Sequence, residues 1–306
     1  MKQVLILGVV LQLLSIPYVS CQTSPSSGLR EIPDLLYVQN PEVDSLQRLN
    51  LVLPDGVDQP PLLIWIGGGA WSYVDRKVEM DFARQMAHAG IAMASVGHRL
   101  SPAIWRDSSL NTGIQHPKHI EDIAAAVKWL LDHASSYGYD PDNIFIGGFS
   151  SGAQLATLLC VDGQYLAAHG LSTDLFQGII PISGTYDIVN YHEIFLNSER
   201  PEMAQLHVEA VFGEAESDWI EASPTSFLDS LHTPMLLMVD RYLTNYTRLF
   251  EEKLLEADFH DFQVLYIHDL SHGQLWRDFS HNEQSIYRQL LIDFILAHSQ
   301  DTGIDP

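Results

Sequence analysis

Cysteine is scarce in this 306-residue chain, which has only two, Cys21 and Cys160. Two thiols exclude a disulfide-built scaffold and a thiolate zinc centre. Basic residues are few as well: Lys and Arg number 16 against 39 Asp and Glu, a formal net charge of −23. So acidic a chain has no basic face for phosphate. Nucleic acid is therefore excluded as a partner, and so is adhesion to an anionic membrane through a basic patch. No internal repeat is visible, and beyond the first twenty residues no run is apolar enough to span a bilayer. Apolar residues make up 46% and charged residues 18%, which excludes a disordered chain. The length fits one large α/β domain or two small ones.

The N-terminus has the layout of a secretory signal peptide over residues 1–21. Met1-Lys2 gives a positive start. An apolar run from Val4 to Ile16 follows, broken by Gly8, Gln12 and Ser15 and stopped by Pro17, with small residues at Ser20 and Cys21. The run is too short for an ordinary membrane span, so a secreted, periplasmic or extracellular protein is expected. Cys21 has two readings. Cleavage after it leaves Cys160 as a lone thiol. Alternatively, Cys21 is the lipid-bearing first residue of a bacterial lipoprotein. Tyr18-Val19-Ser20-Cys21 resembles a lipobox, with Tyr18 where Leu is usual, and a lipid there would anchor the chain without spanning. Residues 22–48 read as a leader and N-terminal arm, Ser/Thr-rich at 22–28.

From residue 49 strands alternate with helices. Short apolar strands are expected at 49–53, 62–66, 91–96, 144–146, 178–182, 235–239 and 262–267. Helices are expected at 80–88, behind Pro117, after residue 152, at 244–257 and at 283–298. Such alternation implies a mostly parallel sheet covered on both faces, with ligands at the carboxyl ends of its strands. The α/β domain is read as 49–299, with 300–306 as a tail. Residues 189–224 break the rhythm and are read as a lid segment.

Three strand ends carry chemistry. Gly148-Phe149-Ser150-Ser151-Gly152 is a G-x-S-x-G between a strand and a helix. A serine on so tight a turn projects its hydroxyl outward, and Gly148 and Gly152 leave room for strand and helix to approach. Gly67-Gly68-Gly69-Ala70-Trp71 follows the strand 62–66. Adjacent glycines let backbone N–H groups face a cleft, and fixed donors there stabilise a developing oxyanion by about 3–4 kcal/mol each. Gly69, Ala70 and Ser151 are the candidate donors, with Gly68 supporting the loop. The alternative, a phosphate loop, lacks G-x-G-x-x-G spacing and a Walker lysine. Ser271-His272-Gly273 follows the strand 262–267. His272 is the candidate base that a serine nucleophile needs, with His268 as its rival.

Together Gly68-Gly69-Ala70-Trp71, Arg99-Leu100-Ser101-Pro102, residues 148–152 and Ser271-His272-Gly273 resemble the α/β-hydrolase superfamily. More narrowly they resemble its carboxylesterase group of hormone-sensitive-lipase-like and feruloyl-esterase-like esterases, isoprenylcysteine methylesterases and arylformamidases. Ser183-Gly184-Thr185-Tyr186-Asp187 and Ala222-Ser223-Pro224 are similar landmarks, in matching order over most of the chain. The resemblance implies an α/β-hydrolase fold, a Ser–His–acid triad, an acyl-enzyme intermediate, a small-molecule ester substrate and no cofactor. Four departures stand out. Gly67 replaces the family's oxyanion-motif His, Ser151 a common Ala and His98 a usual Tyr, and residues 105–109 lengthen the link from Pro102 to Pro117. The turn after the strand 235–239 is also shorter than the family's, leaving Asp240 as the carboxylate in that loop and Asp269 as the fallback. Asp187 is read as structural.

Weaker signals include the sequon Asn245-Tyr246-Thr247, and His260, Asp261 and His268, whose spacing fits no zinc motif. Trp71, Tyr73 and Trp105 are candidates to line a pocket. The expectation is a carboxylesterase-type serine hydrolase with Ser150, His272 and Asp240 as its triad. An amidase, arylformamidase or peptidase on the same residues is the first alternative. A catalytically impaired binding protein, motivated by the short acid turn and the missing His, is the second.

Overall fold

The computed structural model describes residues 28–42 and 45–300. The stretch read as a signal peptide, Cys21, most of the stretch read as a leader and the tail beyond Gln300 lie outside the described residues. Eight strands form one sheet in the order β1-β2-β4-β3-β5-β6-β7-β8. They are β1 (Leu29–Leu36), β2 (Arg48–Pro54), β3 (Leu62–Ile66), β4 (Ala92–Val96), β5 (Ile144–Phe149), β6 (Phe176–Ile182), β7 (Met235–Val239) and β8 (Phe262–Tyr266). β1 and β2 run antiparallel to their neighbours, and every other pairing is parallel. β1 comes from the stretch read as an arm. It carries Pro33 and buries no residue fully, as an edge strand can.

The helices are α1 (Met80–His88), α2 (Lys118–Tyr137), α3 (Ser151–Val161), α4 (Gln164–Ala167), α5 (Ile188–Leu196), α6 (Ala210–Phe212), α7 (Glu216–Glu221), α8 (Thr244–Glu256), α9 (His272–His281) and α10 (Ile286–His298). They cover the sheet on both faces, as the alternation of elements requires. All five β3 residues are buried and divide by strand parity. Leu62, Ile64 and Ile66 join the core under α2, α3 and α8, with Ile120, Ile123, Val127, Leu155 and Phe250. Leu63 and Trp65 join the core under α1, α9 and α10, with Phe82, Met86, Phe279 and Leu291.

Pro117 stands one place before the first residue of α2, at its N-cap, and Gly138 closes the helix in the left-handed region. Asp122 of α2 ties down the Arg99-Leu100-Ser101-Pro102 loop. Its carboxylate accepts the Arg99 backbone N–H at 2.8 Å and pairs with the Arg99 guanidinium at 2.8 Å. The stretch 189–224 is helical, comprising α5, a π-helical turn (Ala204–Glu209), α6 and α7. It packs down through Phe212, whose ring meets Trp71 at 4.8 Å, and through the His116 N–H on the Val211 carbonyl at 2.8 Å. The strand order reverses direction around β3, and crevices at such points lie beyond the carboxyl ends of the strands.

Candidate active site

β3 and β5 pair in parallel with Ile66 beside Gly148, so the loops leaving them share one crevice. Ser150 follows β5 and is the N-cap of α3 at φ 56°, ψ −119°, a conformation that costs a non-glycine residue about 1–3 kcal/mol. Its N–H donates to the Ile182 carbonyl at 2.8 Å, which fixes the turn. The flanking glycines are dictated by space. A Cβ on Gly152 would stand 2.0 Å from the Ile66 carbonyl oxygen, and one on Gly148 would stand 2.4 Å from the Gly152 carbonyl carbon.

The glycine loop after β3 lies directly against this turn, since a Cβ on Gly68 would meet the Phe149 ring at 2.8 Å and the Ser150 Cβ at 3.1 Å. Gly69, Ala70 and Trp71 all have positive φ. The turn is held from within. The Gly69 carbonyl accepts the Ser72 and Tyr73 N–H groups at 2.9 and 3.0 Å, and the Trp71 indole donates to the Gln154 side chain of α3 at 2.9 Å. Ser151 is the first residue of α3, where N–H groups have no partner within the helix and the helix dipole is positive. Gly69 and Ser150 line one cavity, and Ala70, Ser151 and Ser150 line a second.

Asp240 follows β7 immediately, and His272 opens α9 after β8. β7 and β8 are parallel neighbours with Val239 beside Tyr266, which brings their carboxyl ends together despite the short turn. The His272 Nδ1 and Asp240 Oδ2 are 2.7 Å apart. Asp240 is fully buried; it also accepts the Tyr242 N–H at 2.8 Å, and its own N–H donates to the Ser183 hydroxyl at 3.0 Å. Burial opposes its charge, but the hydrogen bonds from His272 and Tyr242 outweigh that and hold the carboxyl below its ordinary range. The His272 ring lies stacked on Phe149 at 4.4 Å, and the Gln274 side chain accepts the Ser271 N–H at 2.9 Å at the start of α9. Both cues fix the ring, and Phe149 is one that the motif does not reveal.

The other candidates fall elsewhere. His268 is exposed beside Tyr266, Asp269 is exposed, and Asp187 accepts the Asn190 N–H at 2.9 Å as the cap of α5. His260 lies within 3.1 Å of Asp258 at the surface. Cys160 is buried, and burial pushes its thiol well up.

Ser150 stands between two cavities. The larger, about 180 Å³, also holds His272, Gly69, Tyr73, Glu79 and Trp276. The smaller, about 50 Å³, is walled by Trp71, Tyr191, His207 and Tyr246. Tyr191 and His207 meet at 2.8 Å, and burial lowers the His207 pKa to about 4, so the ring is neutral. Of the expected pocket aromatics, Trp71 and Tyr73 line these cavities, while Trp105 packs on Tyr73 and His207. At Gly67, where a family His is expected, a side chain would have to displace Glu79, because its Cβ would stand 2.9 Å from the Glu79 carboxyl oxygen. Glu79 carries no sequence signal. It is placed by the indole N–H groups of Trp65 and Trp276, the latter 197 positions away.

A family model, BD-FAE, matches residues 49–241. The chain is 28% identical over 186 residues to the esterase LipQ of Mycobacterium tuberculosis, covering 58% of this chain and 41% of that protein. It is 32% identical over 160 residues to the para-nitrobenzyl esterase of Bacillus subtilis, covering 51% and 29%. The chain thus spans less than half the length of these curated relatives. Among solved structures, esterase B from Lactobacillus rhamnosis superposes with a TM-score of 0.73 at 20% identity, over 91% of this chain and 89% of that one.

Proposed function

Since the chain belongs to the BD-FAE family, in the carboxylesterase group of the α/β-hydrolases, we propose that it hydrolyses carboxylic esters with Ser150 as nucleophile. The observation that carries this reading is the 2.7 Å contact of His272 Nδ1 with the buried Asp240, at a cavity wall that also holds Ser150. The carboxylate accepts a hydrogen bond from the His272 Nδ1–H and so holds that proton on the ring, which leaves Nε2 free to act as base.

In this reading Ser150 Oγ attacks the ester carbonyl and gives its proton to His272 Nε2. The N–H groups of Gly69, Ala70 and Ser151 bear the oxyanion. The carbon–oxygen bond to the alcohol breaks, and His272 returns the proton to the departing oxygen. Water then attacks the acyl-enzyme and gives a proton to His272. The acyl–Oγ bond breaks, Ser150 regains the proton, and a carboxylic acid is released. The leaving oxygen has to lie within reach of His272, so the larger cavity takes the alcohol portion and the smaller the acyl portion.

Neither motive for a catalytically impaired binding protein favours that reading. The short acid turn still brings Asp240 to His272 from the adjacent strand end, and the missing His corresponds to space filled by Glu79. The test is hydrolysis of p-nitrophenyl acetate and butyrate. Ser150→Ala and His272→Ala are expected to lose at least 1,000-fold in kcat, and Asp240→Asn at least 100-fold. No turnover, with no fluorophosphonate labelling of Ser150, would sink the reading.

A further inference from the structure

Glu79 ends a 3₁₀ turn (Arg76–Glu79) and is 1% exposed. A buried carboxylate ordinarily lies against a cation. Its partners here are neutral: the Trp65 indole N–H at 3.0 Å and the Trp276 indole N–H at 3.3 Å. Among the described residues no Lys, Arg or His forms an ion pair with it. The charge that bears on it is Asp75, of the same sign and from the same turn. Glu79 is one of the residues that line the larger cavity, with Ser150 and His272.

The rest of that cavity suits the same charge. Its walls include Tyr73, Phe149 and Trp276. Phe149 already stacks on His272 and Arg106 lies over Tyr73 at 4.8 Å, while the Trp276 indole, which meets His281 edge-to-face at 5.1 Å, is the ring whose N–H is bonded to Glu79. An indole whose N–H donates to a carboxylate is polarised toward a more negative ring face, which attracts ammonium groups. The net charge of −23 adds long-range attraction for a cationic substrate.

We propose that the larger cavity is a subsite for an ester whose alcohol portion carries an ammonium group, with Glu79 as the counter-charge and Trp276 as the aromatic wall. The proposal rests on the serine-esterase reading and names the substrate class that its alcohol side selects. Glu79 thereby sets specificity and takes no part in proton transfer. Groups that could alter its charge are Asp75 on its own turn and His272 across the cavity. Trp65 from β3 is neutral, and behind Trp276 on α9 the His281–Asp81 pair closes at 3.2 Å.

The test compares acetylcholine with its neutral isostere 3,3-dimethylbutyl acetate at pH 8, with p-nitrophenyl acetate as reference. The wild-type chain is expected to favour the cationic ester at least 10-fold in kcat/KM, and Glu79→Gln to bring the ratio within 2-fold of unity. The wild-type chain also gives a reading that needs no variant. Tetramethylammonium is expected to inhibit p-nitrophenyl acetate hydrolysis competitively, and 3,3-dimethylbutanol to do so at least 5-fold more weakly. Equal use of both esters, or a preference that survives in a folded Glu79→Gln, would overturn the subsite while p-nitrophenyl acetate turnover upheld the esterase. Loss of all three activities in the wild type would instead overturn the esterase reading beneath it.

Discussion

Glu79 and Asp240 are both buried carboxyls, and they respond to pH in opposite senses. Burial raises the Glu79 pKa from 4.5 to about 7, only partly offset by the indole donors. The folded state therefore holds a proton that the unfolded state releases between pH 4.5 and 7, and stability falls as pH rises through that window. A shift of this size corresponds to about 3 kcal/mol. The contribution of Asp240 has the other sign, being present above its unfolded value and lost in acid. Buried neutral histidines such as His116 and His207, whose pKa values burial lowers to about 4, act in the opposite sense. The Glu79 part is therefore read as the melting-temperature difference between Glu79→Gln and the wild type, which is expected to move by several degrees in favour of the variant from pH 5 to 7.5. A difference that stays constant across that window in thermal melts would count against the protonated Glu79. The sequence shows neither the burial of Glu79 nor the ring beneath His272. Trp276 and Phe149 reach these residues only through tertiary packing, and no local spacing encodes it. Ser150 and its glycines are legible because backbone crowding at one turn limits composition locally.

At the scale of elements, the tightest constraint is where α3 meets β3. A methyl group on Gly152 has nowhere to go but into the Ile66 carbonyl at 2.0 Å, so either the helix start or the glycine loop must move. Gly152→Ala is expected to lower melting temperature by at least 5 °C and to cut esterase turnover at least 100-fold, both readable on purified protein. Strands β3, β5 and β7 are legible because all of their residues are buried, which leaves continuous apolar runs. β1 is not, since this edge strand mixes partly buried and exposed residues without strict alternation and includes Pro33. The start of α9 is equally hidden. Ser271-His272-Gly273 reads as loop, yet His272 is the first helical residue, held there by the Gln274 side chain. The π-helical turn at Ala204–Glu209 has no periodic signature of its own either, and tertiary contacts decide it.

For the whole molecule, the alternation of strands and helices makes a two-faced parallel sheet legible, while the strand order is not. Which neighbour β3 takes on each side depends on crossovers that composition does not encode. That order divides the site along the chain. Ser150 and the glycine loop come from β3 and β5, and Asp240 and His272 come from β7 and β8; the seam between them is the parallel pairing of β6 with β7. The exposed stretch at 196–200 lies between the two groups. A chain cut between Ser198 and Glu199 therefore yields two pieces, one bearing the nucleophile and the other the acid and base, and neither is competent alone. Mixing fragments 22–198 and 199–306 is expected to restore p-nitrophenyl acetate turnover in proportion to the scarcer piece. The proposed chemistry would then act as a complementation reporter, silent until two separate polypeptides close the seam between β6 and β7.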